Sequence, residues 1–210
     1  MELPRRDLCS ARMRFHLTFR PIALVLGSAW LISTGVGFHS LQRYASTPGR
    51  VASSPDRWPM DSQVRFDPAR PTLVMAVHPR CPCTRASIEE LAQIVTHCRG
   101  LVSVRVLVFQ PKRFPEQWSQ SDLWHQAEGI PGVQVLPDVD GREATRFGAK
   151  TSGHVFLYST TGGLLYSGGI TGARGHVGDN FGRGALISLL REEKCVGSGA
   201  RVFGCPIGDE

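Results

Sequence analysis

Hydrophobic and polar positions change period several times along the chain. Residues 21 to 38, "PIALVLGSAWLISTGVGF", form an uncharged run with no polar face. Residues 72 to 77, "TLVMAV", are a short continuous apolar run, which predicts a strand buried on both faces. Ile88, Leu91, Ala92 and Val95 fall at helical spacing and predict an amphipathic helix that Gly100 stops. In "LVSVRVLVF", residues 101 to 109, alternate valines share one face, so a second strand follows. The intervening helix makes the two strands a parallel pair. Residues 111 to 138 read as an irregular insertion with a short helix over Trp118 to Ala127. "HVFLYSTTGGLLYSGG", residues 154 to 169, predicts a hairpin around Thr-Gly-Gly. Leu186, Leu189 and Leu190 mark a last helix from about Asn180 to Glu193, with Asp179 as its N-cap. The fold class is α/β, in the order βαβ, insertion, ββα.

Charge changes the picture at the N-terminus. The chain has 210 residues and a formal charge of +6. Arg5, Arg6, Arg12, Arg14 and Arg20 precede the first apolar run, against only Glu2 and Asp7, so half of the excess lies there. A spanning helix needs ~20 apolar residues, and flanking arginines stay in the cytoplasm. The expected organisation is a basic cytoplasmic segment over 1–20 and a transmembrane anchor over 21–38. A Ser/Pro/Arg-rich linker over 39–63, the folded domain over 64–193 and a C-terminal tail over 194–210 follow. The domain is expected on the extracytoplasmic, periplasmic side. A cleaved signal peptide is the alternative; Gly35 and Gly37 are small enough, but no A-x-A site stands out. The remaining charge is too dilute for a nucleic-acid footprint. No nucleophile elbow or carboxylate pair points to hydrolase or glycosidase chemistry.

The chemistry lies in "HPRCPCTRAS", residues 78 to 87, where Cys81 and Cys83 flank one proline at a strand-to-helix junction. A thiol reacts as thiolate, and a helix N-terminus lowers its pKa from ~8.5. Pro82 suits the first helical position, although Ser87 and Glu90 have capping-box spacing and would start the helix later. Residues two apart can meet the ~4.4–6.8 Å alpha-carbon range of a disulfide. A ring that small and stiffened by proline is strained, and strain makes a disulfide easier to reduce. The expected mechanism is exchange, with Cys81 attacking and Cys83 resolving the mixed disulfide. The plainer reading is a structural disulfide or two inert buried thiols.

A βαβ unit followed by ββα, with paired cysteines after the first strand, resembles the thioredoxin-like superfamily over about residues 64 to 193. "HPRCPCTRAS" together with "SGGITGARGHVGDN" most resembles RedB-type membrane-anchored proteins. The resemblance implies a thiol–disulfide oxidoreductase that acts on protein thiols or disulfides and needs no cofactor. Two departures stand out. The usual Cys-x-x-Cys becomes Cys-x-Cys, with Arg80 in the place of the first cysteine. The usual cis-proline before the hairpin is replaced by Thr151-Ser152-Gly153.

That second departure opens an alternative. His78, Cys81 and Cys83 are soft ligands suited to copper, as in a metal-binding or delivery module, with a fourth ligand from His154 or His176. Cys195 and Cys205 flank a Gly-rich tail and are read as a structural disulfide, or else Cys205 reaches the site as a further resolving thiol. Cys98 is expected in the core and Cys9 on the cytoplasmic side. In "GARGHVGDNFGRG", residues 172 to 184, no Gly-Lys-Ser/Thr ending supports a phosphate loop. Arg174, His176 and Asp179 are candidates to line a pocket near the thiols.

Overall fold

The computed structural model describes residues 7–192 and 198–208, with side chains described from residue 21 onward. The chain divides into two units, Met1–Tyr44 and Ala45–Glu210. The first is the body of helix α1 (Asp7–Ser46). Its stretch Pro21–Ser46, 26 residues of mean hydropathy 1.6, is long and apolar enough for a membrane span or a signal sequence. The helix continues past Phe38, where the sequence reading ended the anchor. Nothing breaks it before Thr47, which Pro48 biases away from helical geometry.

The second unit carries a five-stranded sheet in the order β3-β2-β1-β4-β5. Its elements are β1 (Thr72–Val77), α2 (Thr84–His97), β2 (Ser103–Gln110), a 3-10 turn at Glu116–Trp118, α3 (Asp122–Glu128), β3 (Val133–Val139), α4 (Arg142–Phe147), β4 (His154–Tyr158), β5 (Leu164–Gly168) and α5 (Phe181–Leu190). β1, β2 and β3 run parallel; β4 is antiparallel to β1, and β5 to β4. Central β1 flanked by a parallel β2 and an antiparallel β4, with a closing hairpin and helix, is the thioredoxin-like arrangement. Here β3 is added at one edge.

β1 is buried at all six positions, as its unbroken apolar run requires. One layer of core packs α2 and α5 through Ile88, Leu91, Ile94, Ala185 and Leu186 onto Leu73, Met75, Val106 and Leu157. The other packs α4 through Ala144 and Phe147 onto Val74, Ala76, Phe156 and Tyr158. Cys98 lies in the first layer with no exposed surface, as expected.

The insertion is more regular than its sequence predicts. β3 was hidden because Pro137 interrupts it and its side chains are mostly half-buried, the profile of an edge strand. α4 is six residues long, with a glycine rather than a side-chain cap before it. Its first amides are held instead by buried Asp138 on β3, whose carboxylate accepts from Glu143 N (2.8 Å) and Ala144 N (2.9 Å). α5 is capped by Asn180 rather than Asp179; the Asn180 side chain accepts from Arg183 N at 2.8 Å.

Two segments expected outside the domain are part of it. Residues 47–63 lie along the domain as a strap rather than a free linker. Trp58 makes ring contacts with Phe66, Phe147 and Tyr158 at 5.0–5.3 Å. The Tyr158 hydroxyl donates to Pro55 O, and Leu164 N donates to Asp56 O. Residues 198–208 lie beside the strap, where Gly49 N donates to Val202 O: Ser167 N donates to Ser198 O, Ser152 N to Cys205 O and Ile207 N to Lys150 O. These backbone pairs bring the tail beside β1's C-terminal end.

Candidate functional site

β1 ends at Val77 and α2 begins at Thr84, so His78 to Cys83 turn the chain between them. Cys81 N donates to His78 O and Thr84 N donates to Cys81 O, both at 3.1 Å, which closes two successive tight turns. Cys83 is the N-cap, already in helical geometry, so the thiols stand at the helix N-terminus. Ser87 does not start the helix. Its supposed capping partner Glu90 is fully buried and used elsewhere: its carboxylate accepts from Gly178 N (2.7 Å), Asn180 Nδ2 (3.2 Å) and Arg183 Nη1 (2.7 Å). Glu90 thereby ties α2 to the loop before α5.

Three sulfurs meet at this turn. Cys83 is close enough to Cys81 for the two thiols to affect each other's ionisation. Cys205, from the tail, donates its backbone N–H to Cys81 Sγ at 3.3 Å, and its thiol also bonds Cys81. All three are free thiols. Cys81, expected to be the attacking thiol, has 0% exposure, and Cys83 has 8%. The tail that supplies Cys205 lies against Cys81; along the sequence it is 124 residues away.

Burial opposes ionisation of Cys81. Hydrogen bonds from the Thr84 hydroxyl, the Cys205 thiol and the backbone amides of Cys205 and Thr84 outweigh it and hold the thiol below its ordinary pKa. The Thr84 hydroxyl lies 2.6 Å from Ser152 Oγ, which in turn accepts from His78 N at 2.8 Å. With Thr84 donating to Cys81, Ser152 donates to Thr84. The result is a directed chain from the His78 amide to the sulfur, and such chains polarise one another. Ser152 stands in the loop where the resemblance implied a cis-proline; no peptide bond is cis among the described residues.

The other two thiols are pushed the opposite way. Burial raises Cys83, the neighbouring Cys81 thiolate raises it further, and Arg174 offsets part of this through a hydrogen bond. Burial together with the Cys81 thiolate pushes Cys205 up to about 12. One sulfur favours thiolate and two favour thiol, the division of labour that exchange needs.

Arg174, which the sequence offered only as a candidate against a plainer solvated loop, hydrogen-bonds toward Cys83. Its Nη1 donates to Gly204 O in the tail, and its Nε to Thr47 O in the strap at 3.2 Å. His176 and Asp179 are exposed; Asp179 instead pairs with Arg183 at 2.7 Å. Beside Cys81 an open cleft of about 230 Å³ is lined by Pro79, Arg80, Pro82, Arg85 and Asp122. The Arg80 guanidinium sits 4.7 Å above Trp118.

The copper set does not assemble. His78 Nδ1 accepts from Arg80 N, and the ring stacks on Phe109 at 5.6 Å with Trp118 at its edge. His154 is buried, with Nε2 bonded to Ser167 Oγ at 2.9 Å. Among the described residues no group of three His, Cys, Asp or Glu is arranged to hold a metal ion. Cys195 lies outside the described residues, and so does the side chain of Cys9.

Sheet order, strand directions and the thiols at the β1–α2 turn define a thioredoxin-like domain. No protein-family model matches the chain, and no curated protein matches it. Among solved structures it is similar to the hypothetical protein SMc02350 from Sinorhizobium meliloti 1021. The TM-score is 0.56 and the identity 22%, over 77% of this chain and 94% of that one. It is similar also to an uncharacterized conserved protein from Geobacillus kaustophilus, with TM-score 0.57 and 19% identity over 79% and 93%. At these identities the likeness is one of fold. A looser likeness, TM-score 0.42 and 13% identity over 59% and 81%, is to a secreted Mycobacterium tuberculosis disulfide oxidoreductase homologous to E. coli DsbE; it carries no argument about this chain's activity.

Proposed function

We propose that the protein is a thiol–disulfide oxidoreductase whose reacting sulfur is Cys81, with Cys83 as its partner in the Cys-Pro-Cys turn. The observation that carries this reading is the Cys81 sulfur itself, at a helix N-terminus and held toward thiolate by Thr84 and Cys205. An inert buried thiol would be pushed upward by its surroundings. The Cys81 thiolate attacks a protein disulfide, and one partner sulfur leaves as thiolate. Cys83, protonated until then, loses its proton, attacks Cys81 and releases the second. Arg174 stabilises Cys83 as it ionises.

The apolar helix of the first unit supports a membrane-attached protein, and the arginines before it support a domain on the extracytoplasmic side. The narrower kinship is with RedB-type membrane-anchored thioredoxin-like proteins, on the two stretches that suggested it. The test is reduction of insulin disulfides with dithiothreitol as electron donor. Cys81→Ser should abolish turnover, and Cys83→Ser should leave trapped mixed disulfide. Full activity in Cys81→Ser would remove the proposal.

A further inference from the structure

The strip of backbone beside Cys81 is filled by the chain's own tail. Thr151 and Pro206 form an antiparallel bridge, Ser152 N donates to Cys205 O at 2.8 Å, and Ile207 N donates to Lys150 O at 3.0 Å. This is a short antiparallel backbone pairing on the loop before β4, the kind of pairing that holds an extended peptide. Gly204 lies so close to the Ser152 carbonyl that a side-chain Cβ there would overlap it. Arg174 holds the Gly204 carbonyl from the other side. The docked strand carries a cysteine, and that cysteine meets Cys81.

We propose that Cys205 is a third redox sulfur: residues 204–207 dock as a tethered substrate strand along 150–152, and the oxidised protein holds a Cys81–Cys205 disulfide. The proposal rests on the exchange reading above and deepens it, because the tail occupies the strip that a substrate peptide would use.

The chemistry balances with a small disulfide such as oxidised glutathione as oxidant. Cys81 thiolate attacks it; the S–S bond breaks, one glutathione leaves as thiolate, and Cys81 carries the other. Cys205 then gives up its proton, attacks the Cys81 sulfur and expels the second glutathione, which takes that proton. Two protein thiols are oxidised and one glutathione disulfide is reduced. Where Cys83 resolves first, Cys205 attacks Cys81 in the Cys81–Cys83 disulfide, and Cys83 leaves beside Arg174 and takes up the proton that Cys205 gave up, with no net redox change. The exchange runs toward Cys205 because the Cys81–Cys83 ring closes over a single proline, whereas an extended strand can adjust its approach.

The test oxidises the full chain in detergent with oxidised glutathione, blocks free thiols and maps tryptic peptides without reduction. Cleavage after Arg80, Arg85, Lys194 and Arg201 yields CPCTR, CVGSGAR and VFGCPIGDE. The expected product is CPCTR linked to VFGCPIGDE, retained in Cys83→Ser and lost in Cys81→Ser. A dominant CVGSGAR–VFGCPIGDE link, or CPCTR closed on itself with Cys205 blocked, overturns the proposal.

Gly204→Ala supplies a second readout. It should lose the cross-link and raise the pH midpoint for alkylation of Cys81, because undocking removes the Cys205 hydrogen bonds to that sulfur. No change in either quantity would count against the docked strand. Insulin reduction separates the two claims. A chain that forms the cross-link yet reduces insulin equally well as Cys81→Ser keeps the tail disulfide and loses the exchange reading. Loss of insulin reduction in Cys81→Ser without any cross-link does the opposite.

Discussion

His154 should make the domain lose stability in mild acid. It opens β4 with no exposed surface, its ring stacked on Phe156 at 4.2 Å. Nε2 meets Ser167 Oγ at 2.9 Å, and Nδ1 is buried with no hydrogen-bond partner among the described residues. Burial therefore depresses its pKa from 6.5 to about 4. Between those values the unfolded chain takes up a proton that the folded chain refuses. The stabilisation from a neutral His154 is complete above pH 6.5 and is lost as pH falls toward 4. At about 1.4 kcal/mol per unit, the loss is about 2 kcal/mol at pH 5 and about 3 kcal/mol at pH 4.

His154→Gln keeps an amide nitrogen near the Nε2 position but cannot titrate there. The assay is urea unfolding followed by tryptophan fluorescence between pH 4.5 and 7.5, for wild type and variant. Whatever its stability at pH 7.5, the variant's profile should be flatter, with the difference closing by about 2 kcal/mol at pH 5. Other titrating groups cancel in the comparison. Parallel profiles would refute the argument, because they would mean that the imidazole accepts its proton in the fold as readily as in water.

Three further outcomes follow from named contacts. Glu90→Ala removes the buried acceptor of Gly178 N, Asn180 Nδ2 and Arg183 Nη1, while Arg183 keeps Asp179; it should cost about 2 kcal/mol, read by the urea midpoint. Trp58→Ala removes a half-buried ring packed against Phe66, Phe147 and Tyr158; a loss of about 2 kcal/mol, together with faster proteolysis between residues 47 and 63, is expected. Thr84→Val deletes the hydroxyl that supports the Cys81 thiolate, so the pH midpoint for alkylation of Cys81 should rise.

The fold was legible where local pattern and burial agree. β1, α2, β2, the hairpin and α5 announce themselves because their apolar periodicities are those of elements buried on one face or two. β3 and α4 were not legible: an edge strand containing Pro137 has weak alternation, and α4 depends on Asp138 reaching over from a neighbouring strand. The strap around Trp58 has no period at all, because its hydrogen bonds go to residues near 160. The pair at 81 and 83 could be seen as adjacent letters. Nothing in spacing could choose Cys205 over Cys195 as a neighbour, since that depends on tail pairing with 150–152.

The account turns on whether Cys81 is a thiolate poised at the helix N-terminus. The most direct measurement is the pH dependence of iodoacetamide alkylation of Cys81 in Cys83→Ser, read by mass spectrometry on the peptide spanning residues 81 to 85. A midpoint below the ~8.5 of a free thiol is the expected result. A midpoint at or above that value would mean that burial prevails over the Thr84 and Cys205 hydrogen bonds, and would contradict the proposed exchange chemistry.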